Sequence, residues 1–164
     1  RSLTHASYRL AWDRELRRQL VRKPELIPSA VDEFLRLDGP ASTFREVLNP
    51  VTIGSVRLEP GQIVGLIHPV TNRDPRQFEY PDRFIPDRKP NRHFAFGIGI
   101  HHCLGAYLAK VEAIAMIEQF LRRIPEFELD PNRKARWVSG QVGGMHEVPI
   151  VFEPVRVSSI MEVA

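Results

Sequence analysis

One cysteine stands in a glycine-rich segment of this 164-residue chain. Cys103 is preceded by Gly97, Gly99 and His101, and an amphipathic helical pattern begins directly after it, at Leu104. Glycine permits a positive φ and lets a flat ligand approach the backbone closely. The free N–H groups at a helix N-terminus favour an anion, so a thiol placed there ionises more readily. We therefore expect the chemistry of this chain at Cys103.

A thiolate is a ligand for soft metals, and an iron in haem that is held by one cysteine gains electron density that favours O–O cleavage. Phe96 is expected to pack beside the sulfur and exclude water, and the N–H groups of Leu104 and Gly105 are expected to tune the sulfur. Two alternatives need no haem. A lone cysteine is most simply a small buried apolar residue. A zinc site at His101, His102 and Cys103 would lack a fourth ligand.

The segment around Cys103 resembles the cysteine-ligand loop of the cytochrome P-450 haem-thiolate monooxygenases. The pattern Phe-Gly-x-Gly-x-His-x-Cys-x-Gly is matched by Phe96, Gly97, Gly99, His101, Cys103 and Gly105. The resemblance implies haem b as the cofactor, bound by these six residues, with Cys103 as the axial ligand of its iron. It also implies that His101 donates a hydrogen bond to a haem propionate.

Glu33 and Arg36 are three residues apart in a helical pattern, a spacing that suits an ion pair. Taken alone, such a pair is usually solvated and contributes little stability. In the family, a Glu-x-x-Arg pair is completed by an arginine in a Pro-x-Arg-Phe segment, which residues 81–84 match. The resemblance therefore implies a structural cluster of Glu33, Arg36 and Arg83. It also implies that Arg45 contacts a haem propionate, with an exposed strand arginine as the alternative.

Substrate and partner residues are assigned only through the resemblance. The substrate-pocket candidates, at a strand entrance and a hairpin tip, are Ala41, Thr43, Gln141 and Val142. Each of them is otherwise an ordinary strand or turn residue. The implied partners are a small apolar organic substrate and a ferredoxin that donates electrons. Positive charge for docking an acidic ferredoxin could come from Arg73, Arg88, Lys89, Arg92 and Lys110, which otherwise keep the loop soluble.

Composition narrows the class of protein. The chain is 43% hydrophobic, which is enough for one domain with a core. Its 23 basic and 20 acidic residues are interspersed, a pattern that gives no nucleic-acid-binding tail. A lone cysteine excludes an internal disulfide framework and favours a reducing cytosol. Because no apolar run approaches the ~20 residues that span a bilayer, we expect a cytoplasmic protein of the bacterial type, without membrane or nucleic-acid partners.

Periodicity and turn residues predict the elements that position the cysteine. Helices are predicted over residues 2–22 and 28–37, each ended by proline or glycine. Short strands are predicted over residues 43–47, 51–53, 56–58 and 63–66. A proline-rich loop over 73–95 leads to the cysteine, and a closing hairpin is predicted over 139–152. The long helix between them, over 104–124, carries an apolar stripe formed by Leu104, Leu108, Val111, Ala115 and Leu121.

These elements predict a mainly α fold with small β-sheets (α+β), as in the C-terminal part of the cytochrome P-450 fold. The resemblance covers residues 1–164, which are expected to form the haem-ligand part of a single domain whose N-terminal part is absent. The distal oxygen-activating helix would be absent too, so no catalytic acid is assigned. The expected function is that of a monooxygenase fragment using dioxygen, inactive alone. A non-catalytic haem-binding module and an inactive remnant are the alternatives.

Overall fold

The computed structural model describes residues 1–154, so the predicted domain range of 1–164 extends beyond them. Within these residues the helices are α1 (Ser2–Trp12), α2 (Arg14–Arg22), α3 (Ile27–Asp38), α4 (His68–Thr71) and α5 (Ala106–Arg123). The strands are β1 (Thr43–Glu46), β2 (Val51–Ile53), β3 (Val56–Leu58), β4 (Ile63–Leu66), β5 (Glu128–Leu129), β6 (Arg136–Val138), β7 (Gly144–Glu147) and β8 (Ile150–Val151). The predicted mainly α fold with small sheets is confirmed.

The first predicted helix is in fact two helices, separated at Asp13. This residue has φ −92° and ψ 80°, outside the helical region. Its carboxylate accepts a hydrogen bond from the N–H of Leu16 at 3.0 Å, so it caps the N-terminus of α2. The break lets α1 contact α3 and β7, while α2 contacts α5.

Helix α3 lies at the centre of the core. Its buried apolar residues include Ile27, Val31 and Phe34, which belong to one cluster with side chains from α1, α2 and α5. Two charged residues of this helix, Glu33 and Arg36, are buried as well. Because charged groups are seldom buried without partners, Glu33 and Arg36 are expected to have hydrogen-bond partners inside the protein.

The four predicted strands between α3 and α4 are confirmed, with β1 ending one residue early, at Glu46. β1 pairs with β4 in antiparallel register, so that Thr43 lies opposite Leu66 and Arg45 lies opposite Val64. β2 pairs with β3. Since side chains alternate along a strand, Thr43 and Arg45 stand on the same face of β1.

The tail forms two strand pairs rather than the predicted single hairpin. β6 pairs with β7 around a tip formed by residues 139–143, and β5 pairs with β8. The tip is bonded to the segment before β1: the Ser42 N–H donates to the Gln141 carbonyl, and the Gly143 N–H donates to the Pro40 carbonyl, both at 3.0 Å.

Helix α5 is apolar on two faces. Ala113, Ile117 and Leu121 are buried against the core. Of the predicted stripe, Leu121 alone is buried, and Leu108 on the other face is 61% exposed. The predicted stripe therefore faces away from the core for most of its length. None of the helices in residues 1–154 is long and apolar enough to cross a membrane.

Candidate functional site

Cys103 is the last residue of a closed loop. Its N–H donates to the Phe96 carbonyl at 2.8 Å, which joins the two ends of the glycine-rich segment. Gly97 has φ +73°, and a Cβ added there would lie 3.1 Å from the His101 carbonyl oxygen. This backbone conformation favours glycine, since an L-residue would be strained. The loop leaves Cys103 exposed to solvent.

The helix after the loop begins later than predicted, at Ala106, with Gly105 as its N-cap residue. Cys103 therefore precedes the helix, and its carbonyl accepts a hydrogen bond from the Ala106 N–H at 3.2 Å. A Cβ added to Gly105 would lie 3.9 Å from the Cys103 sulfur, an ordinary contact distance. The tuning of the sulfur by the N–H groups of Leu104 and Gly105 stays a prediction.

A cleft of ≈ 650 Å³ opens beside the loop. The predicted site residues that line it are Ala41, Thr43, Arg45, Phe96, Gly97, His101 and Cys103. The structure thus brings together two segments that are far apart in the sequence. Gln141 and Val142 are not among the lining residues, and Val142 reaches the site only through its β-bridge to Ala41.

The polar part of the cleft wall includes a residue that sequence reasoning missed. His68 is only 8% exposed, and its Nε2 lies 3.3 Å from the Thr43 hydroxyl oxygen. Burial, and then the charge of Arg45, hold the pKa of His68 below its usual 6.5. Arg45 itself is exposed and donates to the carbonyl of Phe44 at 2.7 Å. No sequence motif singles out His68, because its contact with Thr43 depends on the pairing of β1 with β4.

The Glu33–Arg36 pair is completely buried. Arg36 Nε donates to Glu33 Oε2 at 2.7 Å, and Nη2 donates to Oε1 at 2.8 Å. A second guanidinium, that of Arg88, donates from Nε to the same carboxylate at 3.0 Å. Burial alone would raise the pKa of Glu33, but hydrogen bonds from Arg36, the Ile85 N–H and Arg88 lower it.

Arg88 therefore takes the place predicted for Arg83. The side chain of Arg83 is exposed and lies over the Tyr80 ring at 5.5 Å, and only its carbonyl oxygen accepts from Arg36, at 3.1 Å. The sequence Pro-Asp-Arg occurs twice, at residues 81–83 and 86–88. The resemblance selected the first copy, whereas the fold buries the second.

The buried cluster is connected to the cysteine loop through Asn72. Arg36 Nη1 donates to the Asn72 carbonyl at 2.8 Å, and Asn72 Oδ1 accepts from the Phe94 N–H at 2.6 Å. Phe94 stands two residues before Phe96, where the closed loop begins. The cluster thus helps to hold the start of the loop that carries Cys103.

The basic residues predicted for docking a partner differ in exposure. Arg88 is buried on Glu33, so it cannot provide a docking charge. Arg73 pairs with Asp82 at 2.9 Å, and Lys110 pairs with Asp32 at 2.6 Å. The two remaining residues, Lys89 and Arg92, are exposed.

Known proteins share this sequence and this fold. A sequence model of the cytochrome P-450 family matches residues 10–150. Mycinamicin IV hydroxylase/epoxidase from Micromonospora griseorubida is 43% identical over 143 residues, which cover 84% of this chain and 36% of that protein. Steroid C26-monooxygenase from Mycolicibacterium smegmatis is 37% identical over 153 residues, which cover 90% of this chain and 36% of that protein. The chain thus spans little more than a third of the length of these relatives.

A solved structure extends the match from sequence to fold. CYP109E1 from Bacillus megaterium, in complex with testosterone, superimposes with a TM-score of 0.88 at 34% identity, over 94% of this chain and 43% of that chain. The relatives are monooxygenases, and members of their family bind haem through a cysteine thiolate. The match of the family model over most of the chain, together with these relatives, shows that the chain belongs to the cytochrome P-450 family.

Proposed function

We propose that this chain forms the haem-thiolate side of a monooxygenase, with Cys103 as the axial ligand of haem b. The observation that carries the proposal is the position of this thiol, exposed at the wall of a ≈ 650 Å³ cleft on a closed backbone loop. When bound, haem supplies the activation of dioxygen and the insertion of one oxygen atom into an organic substrate.

The residues of the cleft fit a haem group in shape and in chemistry. Gly97 lines the cleft without a side chain, which suits close approach of a flat ligand. Leu35, Phe94 and Ile98 give the cleft apolar surface for a porphyrin face. The basic side chains of Arg45 and His101 line the cleft, where they can donate hydrogen bonds to the two propionates of an iron protoporphyrin.

The chain's own groups have separate tasks in this proposal. Cys103 binds the iron, and Phe96 packs beside the sulfur to exclude water. Arg45 and His101 hold propionates by charge-assisted hydrogen bonds. Gly99 and Gly105 keep side chains away from the cofactor. The Glu33 cluster acts on none of these groups directly, and it holds the loop through Asn72 and Phe94.

Substrate and electron donor complete the proposal. Ala41 and Thr43 line the cleft and are proposed to contact a small apolar organic substrate, while Gln141 and Val142 support them from the hairpin tip. The names of two relatives mention mycinamicin IV and steroids, but we propose neither as the substrate of this chain. Electrons are proposed to come from a ferredoxin docked near Lys89 and Arg92, in a bacterial cytoplasm.

We propose further that the chain functions only together with more polypeptide. Supporting this is an exposed apolar stripe, named here the outer face, which is formed by Leu104, Leu108 and Val111, spaced as residues on one side of a helix are. Apolar side chains grouped on a surface mark a site of contact with another surface. The outer face favours a fragment over an autonomous haem-binding module, because a module that works alone would bury these residues.

The test is the absorption spectrum of the reduced, carbon monoxide-bound form. It is recorded for this chain alone and for the full-length polypeptide, each supplied with haem, with Cys103→Ser in both as the control. We expect a strongly red-shifted Soret band in the full-length protein, lost on Cys103→Ser, and none in the chain alone. A band retained by Cys103→Ser would contradict the ligand assignment, and a band from the chain alone would favour the autonomous module.

A further inference from the structure

The contact between His68 and Thr43 leaves one ring nitrogen unaccounted for. Nε2 lies 3.3 Å from the Thr43 hydroxyl oxygen. Nδ1 is shielded from solvent and has no hydrogen-bond partner within residues 1–154. A neutral imidazole carries a proton on one nitrogen and a lone pair on the other, so the two positions are not equivalent.

The unpartnered nitrogen decides which of the two carries the proton. The ring is neutral near pH 7, since burial and Arg45 lower the pKa of His68. A buried N–H without a partner is rarer than a buried acceptor without one. The proton therefore belongs on Nε2, which donates to the oxygen of Thr43.

A hydroxyl that accepts from His68 keeps its own proton for another acceptor. Thr43 stands on the same face of β1 as Arg45, and both side chains line the cleft. No Asp or Glu is among the cleft residues in the described part of the chain. A hydroxyl donor beside a guanidinium suits a carboxylate, and the described residues of the cleft supply none.

We infer that His68 is a positioning residue that fixes the Thr43 hydroxyl as a donor, so that Thr43 and Arg45 together bind a ligand carboxylate. The carboxylate has two possible sources, a propionate of the cofactor or an acid group on the substrate. The inference rests on the proposed function, since the first source requires haem. It adds a polar role for the hydroxyl of Thr43 to the proposed substrate contact of this residue.

The experiment uses two matched pairs of variants in the full-length, haem-loaded protein. Thr43→Val removes the hydroxyl with little change of shape, and Thr43→Ser keeps it. His68→Leu removes the donor, and His68→Gln places an amide N–H where Nε2 stands. Two quantities are measured: the rate of haem transfer to apomyoglobin, and the dissociation constants of dodecanoate and dodecanol from the spin-state change of the Soret band.

Loss of one hydrogen bond to a charged group predicts an effect of about tenfold. If the cofactor supplies the carboxylate, Thr43→Val and His68→Leu accelerate haem loss by that factor. If the substrate supplies it, haem loss is unchanged and the same variants weaken dodecanoate but not dodecanol. Thr43→Ser and His68→Gln are expected within about twofold of the wild type in both cases.

Unchanged haem loss and unchanged dodecanoate binding in Thr43→Val would overturn the inference, as would an effect of His68→Leu that Thr43→Val does not share. Thr43→Val alone decides the matter if His68→Leu fails to fold. A wild-type protein without a thiolate spectrum would overturn the proposed function and the inference with it. A normal spectrum with unchanged variants would overturn the inference alone.

Discussion

The inner side of α3 and the outer face differ in which side chains they expose to water. Around Glu33, three charged side chains are removed from water and bonded to one another and to backbone carbonyls. On the outer face, apolar side chains such as Leu104 and Leu108 are left in water. The difference teaches that the buried charges beneath the cysteine loop find their partners within this chain, whereas the apolar side chains of the outer face are exposed, which is why further polypeptide is proposed to cover them.

The largest expected effect tests the buried side. Glu33→Gln would leave Arg36 and Arg88 as buried charges without a counter-ion, so we expect the free energy of unfolding to fall by about 3 to 5 kcal/mol. Urea denaturation of the full-length protein measures it. The control is Glu118→Gln, an exposed position on α5, with a change within about 0.5 kcal/mol. Equal effects of the two substitutions would contradict the cluster.

A second prediction separates the two Pro-Asp-Arg copies. Arg88→Met removes a guanidinium from the buried carboxylate, and about 3 kcal/mol of stability should be lost. Arg83→Met changes an exposed side chain and keeps the backbone carbonyl of residue 83, which accepts a hydrogen bond from Arg36. The loss of stability should therefore stay below about 1 kcal/mol. Chemical denaturation of both variants provides the measurement. A larger loss of stability in Arg83→Met than in Arg88→Met would support Arg83 instead, the arginine predicted from the resemblance.

A third prediction compares the two apolar faces of α5. Leu121→Ala opens a cavity in the core and should cost about 2 kcal/mol or more, in this chain and in the full-length protein. Leu108→Ala should leave the stability of this chain nearly unchanged and lower that of the full-length protein. Thermal unfolding of both variants and of the wild type, in each of the two chain lengths, decides the point. If Leu108→Ala is neutral in both lengths, the outer face has no partner within the polypeptide.

The smallest expected effect is a pH dependence at the α1–β7 contact. His5 Nε2 accepts the Met145 N–H at 3.1 Å, which requires the neutral ring, and burial is the main cause that holds the pKa of His5 below 6.5. The unfolded state then binds more protons, so this stabilisation is present above about pH 6.5 and is lost as the pH falls below it. As the pH is lowered from about 8 to about 5, the denaturation midpoint should fall less in His5→Gln than in the wild type. Both pH values lie on the order of one unit or more from that pKa. An equal slope in both proteins would show that His5 does not contribute.

Sequence reasoning succeeded where one residue type has one physical use. Asn-Pro, Gly-Ser and Pro-Gly turns bound the strands between α3 and α4, and the glycine spacing before Cys103 predicted a bare loop. Reasoning failed where several residues suit one role. Leu104 and Leu121 are equally apolar, and burial alone distinguishes them.

Long-range packing accounts for the residues that were missed. His68 contacts Thr43 because the pairing of β4 with β1 brings the start of α4 there, and Arg88 contacts Glu33 because its loop returns to α3. A local signal did exist at Asp13, since an aspartate followed by Arg14 and Glu15 suits a helix N-cap. A careful search for caps would have divided the first helix correctly.

The hairpin tip and the segment before β1 share backbone hydrogen bonds, and this has a consequence for engineering. Since Ser42 bonds to Gln141 and Gly143 bonds to Pro40 through main-chain atoms, new side chains at the tip leave these bonds in place, whereas an insertion there would displace the start of β1. A chimera that takes one segment from a relative and keeps the other would mismatch their backbones. The two segments should therefore be exchanged together, as one cassette.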